Sequence, residues 1–423
     1  AVGQQPLHTP ADGAHVGGRV EEPAVGLADQ AGLLDGFPRR ISRGVTRRLI
    51  DADDERALID LGYGVDLATF PHGDNVDLPG LQIRRTWRLP LPGNIPVGFS
   101  ATKLLYDVLL AGLVLRLLMQ RRYVGVQAFE EAAFFAVPLA RLFRTPGIAD
   151  LDSDLAQQLN DHPGIAGRVL APAAVAMRRL ILRWASCAVT VAPYLTGMVK
   201  SLNPSLPVFE IRDIPSEESL RAPDPAVMER LRGELKVGNR PLVVYTGNFD
   251  RRQGLELLVD GWQQVVARHP EALLLLVGGE DEQIEKLRQR AARTQAASSI
   301  RFVGQRPPEL MSEVMGLASV LVSPRIEPHV TPLKIFNYMA SGRAIVATDL
   351  PTHSNVLDAA SAYLTPATAA GLADGINRAL DDPDDSRTRG LRARQLVLDK
   401  YSYEGFKASV GRVYQLVTSG AAG

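Results

Sequence analysis

Arg325 and Lys334 stand in one stretch, Ser323–Gly342, the first in a loop and the second where a helix begins. Two more cations, Arg251 and Arg252, lie in the loop Gly247–Gly254, and the glycine pair Gly278 and Gly279 follows an apolar run that ends at Val277. Each of these loops comes directly after a strand-like segment. Cations and glycines in such loops suit an anion with several oxygens. A charge-assisted hydrogen bond contributes roughly 1.5–3 kcal/mol, and a helix N-terminus roughly 0.3–1 kcal/mol. Together they suffice to hold a diphosphate without a metal ion. The competing reading is structural: glycines that serve turns, arginines on the surface, and an ordinary amphipathic helix bearing a lysine.

The elements that must position these groups are legible in the C-terminal half. Apolar runs at Leu242–Thr246, Leu273–Val277, Ile300–Val303, Val320–Val322, Ala344–Ala347 and Ala362–Leu364 alternate with helical segments. Continuous apolar strands between amphipathic helices predict a doubly wound parallel sheet. Ligands of such sheets lie at the carboxyl ends of the strands. In the helix after Val322, Thr331 is the expected N-cap, Pro332 suits the first position and Gly342 the left-handed end. Ile335, Phe336, Met339 and Ala340 form its apolar face, while Lys334, Asn337 and Ser341 share another.

The N-terminal half alternates less cleanly. Residues 1–40 lack a period and are expected to be irregular, and no first strand is evident before Gly44. A charged helix, Leu49–Leu61, precedes strands at Tyr63–Phe70 and Gly80–Arg85, a long apolar helix at Ala101–Gln120 and a strand at Tyr123–Phe129. Glu130 and Glu131 open the next helix. A helix at Arg168–Ala185 carries Arg178, Arg179 and Arg183, and strands follow at Cys187–Ala192 and Val208–Ile211. Strand–helix alternation again predicts a parallel sheet. Two D-x-D patterns, Asp51 with Asp53 and Asp152 with Asp154, fit a divalent ion under a diphosphate; solvated acids are the commoner explanation.

The chain has 423 residues, enough for two domains, with 46% hydrophobic and 22% charged residues. Its 47 basic and 47 acidic residues give no basic field for nucleic acid. Cys187 is the single cysteine, which excludes an internal disulfide and fits a reducing compartment. Neither a signal segment nor a membrane-spanning run is evident, so a cytoplasmic location is expected. There is no G-x-x-x-x-G-K-[ST] or G-x-G-x-x-G, so a P-loop NTPase and a dinucleotide-dependent dehydrogenase are unsupported.

Three stretches together resemble the group 1 (family 4) retaining glycosyltransferases: Tyr245–Leu258, Leu276–Gly279, and Ser323–Arg325 with Thr331–Asp349. The resemblance is close over Val243–Tyr403 and weaker over Tyr123–Pro215. It implies the α/β GT-B architecture: two Rossmann-like doubly wound parallel-sheet domains facing across a cleft. The implied parts are an N-terminal acceptor-side domain at 41–214, a nucleotide-sugar domain at 215–398, and a helix at 399–423 that crosses back to the first domain.

By the same resemblance, Arg252 and Lys334 contact the diphosphate, Glu327 and Glu130 complete the catalytic set, and Asn337 lies near the ribose. The donor-contacting positions implied are Gly247, Asn248, Arg251, Gly278, Gly279, Arg325, His329, Val330, Thr331, Pro332 and Leu333. The expected reaction moves a sugar from a nucleoside diphosphate sugar to a hydroxyl of a glycan or lipid-linked acceptor. It proceeds with retention and needs neither a metal nor another cofactor. The alternative is a non-catalytic nucleotide-sugar-binding or partner subunit. Asparagine at 337 replaces a usual glutamate, Gln253 a frequent lysine and Pro328 a glycine. The helices at Ala101–Gln120 and Arg168–Ala185 are candidates for peripheral contact with the inner face of an anionic membrane, a buried core helix being the other reading.

Overall fold

The strands of the second sheet are apolar at most positions because helices cover both of its faces. β8 (Leu242–Thr246), β9 (Leu273–Val277), β10 (Ile300–Gly304), β11 (Val320–Ser323), β12 (Ala344–Thr348) and β13 (Tyr363–Thr365) pair in parallel in the order β10-β9-β8-β11-β12-β13. Side chains alternate between the faces, as strand geometry requires. Val244, Leu275, Leu321 and Ile345 pack with Ile335, Phe336 and Met339 of the helix Lys334–Ser341. Val243, Leu274, Val320 and Val346 pack instead with Leu258, Trp262 and Ile376. Burying each such side chain contributes roughly 1.5–3 kcal/mol.

The computed structural model describes residues 40–45, 53–73, 75–90, 101–154 and 165–420. The expectation of an irregular segment at 1–40 lies outside them except for Arg40, which opens a strand, and the placement of Asp51 also lies outside them. The first sheet contains β1 (Arg40–Val45), β2 (Gly64–Thr69), β3 (Leu81–Arg85), β4 (Gly125–Phe129), β5 (Gly147–Leu151), β6 (Cys187–Thr190) and β7 (Val208–Glu210). All its pairs are parallel, in the order β3-β2-β1-β4-β5-β6-β7. β1 therefore corrects the sequence reading, which had no strand before Gly44. It lies between β2 and β4, but two arginines, a serine and a glycine in Arg40–Val45 hide its apolar pattern.

Both sheets reverse their direction of growth, at β1/β4 and at β8/β11, which is where open α/β sheets form crevices. Two connections join them. The segment after β7 carries a short helix, Glu217–Leu220, capped by Ser216. The helix Pro383–Lys400 leads to the helix Tyr403–Gly420, which packs on the helix Asp53–Asp60 and on β4 of the first sheet. There Tyr414 donates to Gln127 Oε1 at 2.8 Å, and Gln127 donates to Asp150 at 2.5 Å, tying the crossing helix to the first core. Among the described residues, no helix is long and apolar enough to cross a membrane.

Candidate functional site

At the carboxyl edge of the second sheet the glycines let one loop touch another. Gly247 follows β8 at φ 133° and donates to Val277 O at 3.0 Å. Gly278, at φ 112°, lies so close that a Cβ there would stand 2.1 Å from Gly247 O. A Cβ on Gly279 would meet the Phe249 ring at 2.7 Å. Gly254, at φ 70°, faces Pro324 O, which a Cβ would approach to 2.0 Å. Beside it Ile326 N–H donates to Arg252 O at 3.0 Å. Positive φ and these approaches both require glycine. The loops after β8, β9 and β11 thus form one backbone surface.

Lys334 reaches into that surface. Tyr338, from the same helix, accepts a hydrogen bond from Thr246 N at 2.8 Å and so fixes the helix against the end of β8. The Lys334 ammonium donates to Tyr245 Oη at 2.6 Å and to Gln253 Oε1 at 3.0 Å, and it lies 2.8 Å from where a Cβ of Gly247 would be. Burial, and then the neighbouring Arg325, push its pKa well below that of an ordinary lysine. Among the described residues no carboxylate pairs with it. Burial pushes the Tyr245 hydroxyl well above its usual range, so it stays protonated.

The loop before the helix is held from several sides. Arg325 pairs with Glu327 at 2.5 Å, and Glu327 accepts the His329 N–H at 2.9 Å. Thr348 Oγ1 donates to Arg325 O at 2.6 Å and Thr352 Oγ1 to Val330 O at 2.5 Å. His353, fully buried, binds Ser323 Oγ at 2.9 Å and Thr348 O at 2.8 Å. Burial drops its pKa to about 3, with Arg325 and Lys334 adding to the effect, so it is neutral and donates through Nδ1.

The regular helix is Lys334–Ser341, with Leu333 flanking it, so Thr331 is not its cap. Pro332 O and Leu333 O already accept from Ile335 and Phe336 in tight turns. That tightening moves the helix start past the expected cap. The N–H groups of Val330, Thr331, Leu333 and Lys334 make no hydrogen bond to described residues.

Gly247, Asn248, Gly278, Gly279, Arg325 and Lys334 therefore share one edge, with Val330–Leu333 beside them. Arg252 is on the same loop, half-exposed, with its guanidinium on Asp250 at 3.0 Å. Burial raises the Asp250 carboxyl, but hydrogen bonds from Arg252 outweigh it and hold the group below its ordinary range. Arg251 is exposed. Asn337 turns to the linker, its Oδ1 accepting Ser216 N–H at 2.9 Å.

Glu130 belongs to the first sheet, at the end of β4, in the left-handed region at φ 51°. Its carboxylate accepts the Asp152 N–H and the Ser153 hydroxyl, both at 3.0 Å. Burial, then Glu131, raises its pKa to about 7. Burial, Asp150 and Glu130 raise Asp152 well above the carboxylate range. Asp154 pairs with Arg178 at 2.9 Å and accepts from Tyr194 Oη at 3.0 Å. The Tyr194 ring stacks on His329 with centroids 4.2 Å apart, joining the first-sheet side to the Glu327–Thr331 loop. Tyr194, Tyr245, Tyr338 and His353 were missed by sequence reasoning. Only the apolar register of Tyr245 and Tyr338 gave a signal, and it pointed to the core.

Residues 240–382 match the family model described as Glycosyl transferases group 1. The phosphatidyl-myo-inositol mannosyltransferase of Mycobacterium tuberculosis is 32% identical over 187 residues, 43% of this chain and 48% of that protein. The chain thus spans about half the length of the curated relatives it matches first. Sucrose-phosphate synthase from Thermosynechococcus elongatus superposes with a TM-score of 0.74 at 20% identity, covering 90% of this chain and 100% of that one. The Anabaena protein HepE, in complex with UDP and glucose, gives 0.69 at 16% identity, covering 89% and 99%. The chain has the GT-B fold, and residues 240–382, within its second sheet domain, match the family of group 1 glycosyl transferases.

Proposed function

We propose that this chain transfers a sugar from a nucleoside diphosphate sugar to an acceptor hydroxyl. One observation carries the reading: Lys334 has a part-buried amino group without a carboxylate partner among the described residues, at the switch point of a parallel sheet. A buried charge lacking a counter-ion is costly, and an anionic ligand supplies one. The open N–H groups of Val330, Thr331 and Leu333 add donors beside it. In the reaction the acceptor oxygen bonds to the anomeric carbon while the bond to the diphosphate oxygen breaks. The electron pair goes to the departing diphosphate, which takes up the proton of the acceptor hydroxyl, and Lys334 and these donors meet the developing charge there.

Lys334 brings positive charge without a carboxylate partner among the described residues to the place a metal would otherwise occupy, which supports transfer without one. Retention of configuration follows from the resemblance to the group 1 enzymes. Calorimetry with UDP-, GDP- and ADP-sugars is expected to find one donor that binds. Incubation with acceptors should then give product with the anomeric configuration of that donor, in EDTA as well as without it. If none of the three binds, the reading is wrong; inverted product or dependence on a metal would overturn those parts alone.

The acceptor is a glycan or is lipid-linked, and the first sheet favours the lipid. Its helices Ala101–Gln120, Ala133–Leu142 and Ile165–Trp184 pack side by side. Leu104, Val108, Met119, Leu142, Met177 and Leu180 are exposed on them. Arg116, Arg141, Arg179 and Arg183 are exposed among these side chains, and the two shorter-spaced segments, 133–142 and 165–184, contain no acidic residue. Apolar side chains among arginines match an anionic lipid surface. The protein is expected to sediment with phosphatidylglycerol vesicles at low salt and to be released at about 0.5 M salt, where charge is screened within a few ångströms. Absence of salt-sensitive binding would remove the membrane from the proposal.

A further inference from the structure

Lys334 is not simply a lysine that lines the site, because each neighbour of its ammonium has a defined direction. Tyr245 Oη gives its own hydrogen to Asn248 O at 2.6 Å, so toward Lys334 it can only accept. Gln253, 7% exposed, turns its amide oxygen to the same nitrogen at 3.0 Å. An ammonium has three hydrogens. Two are thereby directed at the end of β8 and the loop after it, and the third is left for a ligand. Nor is this contact needed to join the loops. Ile326 N–H already bonds Arg252 O at 3.0 Å, and Gly254 backs directly onto Pro324 O.

We infer that Gln253 and Tyr245 are positioning residues for the Lys334 cation, and that the site requires an ammonium at this point whichever of the two loops delivers it. The inference rests on the diphosphate reading above. Residues 253 and 334 meet end to end as acceptor and donor across the junction of the two loops. Exchanging their side chains therefore exchanges donor for acceptor and leaves the charge in place. A lysine at 253 is longer than the glutamine it replaces, and a glutamine at 334 is shorter than the lysine, so the amino group can occupy the space the present one fills.

The full chain is titrated with UDP, GDP and ADP, and the tightest of the three is carried forward together with its nucleoside. Lys334→Gln is expected to weaken the diphosphate about 10-fold or more, and the double variant Lys334→Gln/Gln253→Lys to return within about 3-fold of the unaltered chain. The nucleoside, having no phosphate, should bind all forms alike, which a general structural defect would not allow. As a second measure, Gln253→Leu removes one acceptor at nearly constant size. It should weaken the diphosphate about 5-fold relative to the nucleoside, the loss of one modest hydrogen-bonded constraint. A folded double variant that binds no better than Lys334→Gln overturns the inference while leaving the diphosphate site intact. If the exchange does not fold, an unchanged diphosphate-to-nucleoside ratio in Gln253→Leu overturns it instead. Failure of the unaltered chain to bind any of the three removes the reading and the inference together.

Discussion

Lys334→Ala is expected to weaken nucleoside diphosphate binding by about 10²-fold, the upper part of the range for a lost charge-assisted hydrogen bond of roughly 1.5–3 kcal/mol. The upper part applies because the change also uncovers two acceptors. Without the ammonium, Gln253 Oε1 and the lone pairs of Tyr245 Oη face the phosphate oxygens directly. Turnover should fall at least as far, since the charge on the diphosphate grows as the sugar leaves. The dependence on pH supplies an independent check. The ammonium is the binding form, and its folded pKa lies well below that of an ordinary lysine through burial and Arg325. In the unaltered chain, affinity is therefore lost as pH rises through that depressed value, and the alanine variant lacks this alkaline limb. Stability moves the other way. Between the depressed value and the ordinary lysine value of 10.5 the unfolded chain binds more protons, so stability rises with pH, and alanine removes that rise. Calorimetry and chemical denaturation on both sides of the depressed value, followed up to pH 10.5, measure both. Undiminished affinity with an unchanged alkaline limb would remove Lys334 from the site.

The second sheet was legible because covering both faces favours apolar residues at most strand positions, and at every one in Leu273–Val277. β1 was not, because Arg40, Ser42, Arg43 and Gly44 break its run, and its place between β2 and β4 depends on pairings far along the chain. Loops that follow strands could be assigned to one sheet edge from topology alone, which brought Gly247, Gly278, Arg325 and Lys334 together correctly. What each side chain touches there could not be read. Lys334 finds Gln253 and Tyr245 from 81 and 89 residues away, and Asn337 is drawn to Ser216 from 121. Asn337 shows the consequence most clearly. Its helical phase placed it on the polar face with Lys334, but phase does not say whether a polar face meets a ligand or a linker. His353 is the opposite case: a polar residue whose burial among Ser323 and Thr348 organises the Arg325 loop, with no local pattern to announce it.

Glu130→Gln is expected to make the protein more stable at pH 8 by on the order of 2–3 kcal/mol while leaving it nearly unchanged at pH 4.5. The first-sheet edge favours the protonated acid, because burial and then Glu131 raise Glu130 from 4.5 to about 7. At about 1.36 kcal/mol per unit the shift amounts to roughly 3 kcal/mol, reduced somewhat because solvent still reaches the side chain. For an acid raised on folding, the folded chain holds more protons than the unfolded one between those two values. Its stabilising contribution is complete below 4.5 and is lost as pH rises through about 7. Glutamine keeps the shape, can accept from Asp152 N–H through Oε1 and can bond the Ser153 hydroxyl through Nε2, so the loop retains both contacts. It carries no charge at any pH, and its curve should stay level where that of the unaltered chain declines. Asp152, itself raised by Glu130 among others, should ionise more readily in the variant and leave a smaller residual slope. Nucleoside diphosphate affinity should not change, because the donors to that ligand lie on the second sheet. Urea denaturation from pH 4.5 to 8 decides the matter. Parallel stability curves for the two proteins would mean that Glu130 titrates alike in the folded and unfolded chain, and that the edge of the first sheet holds charge as readily as water does.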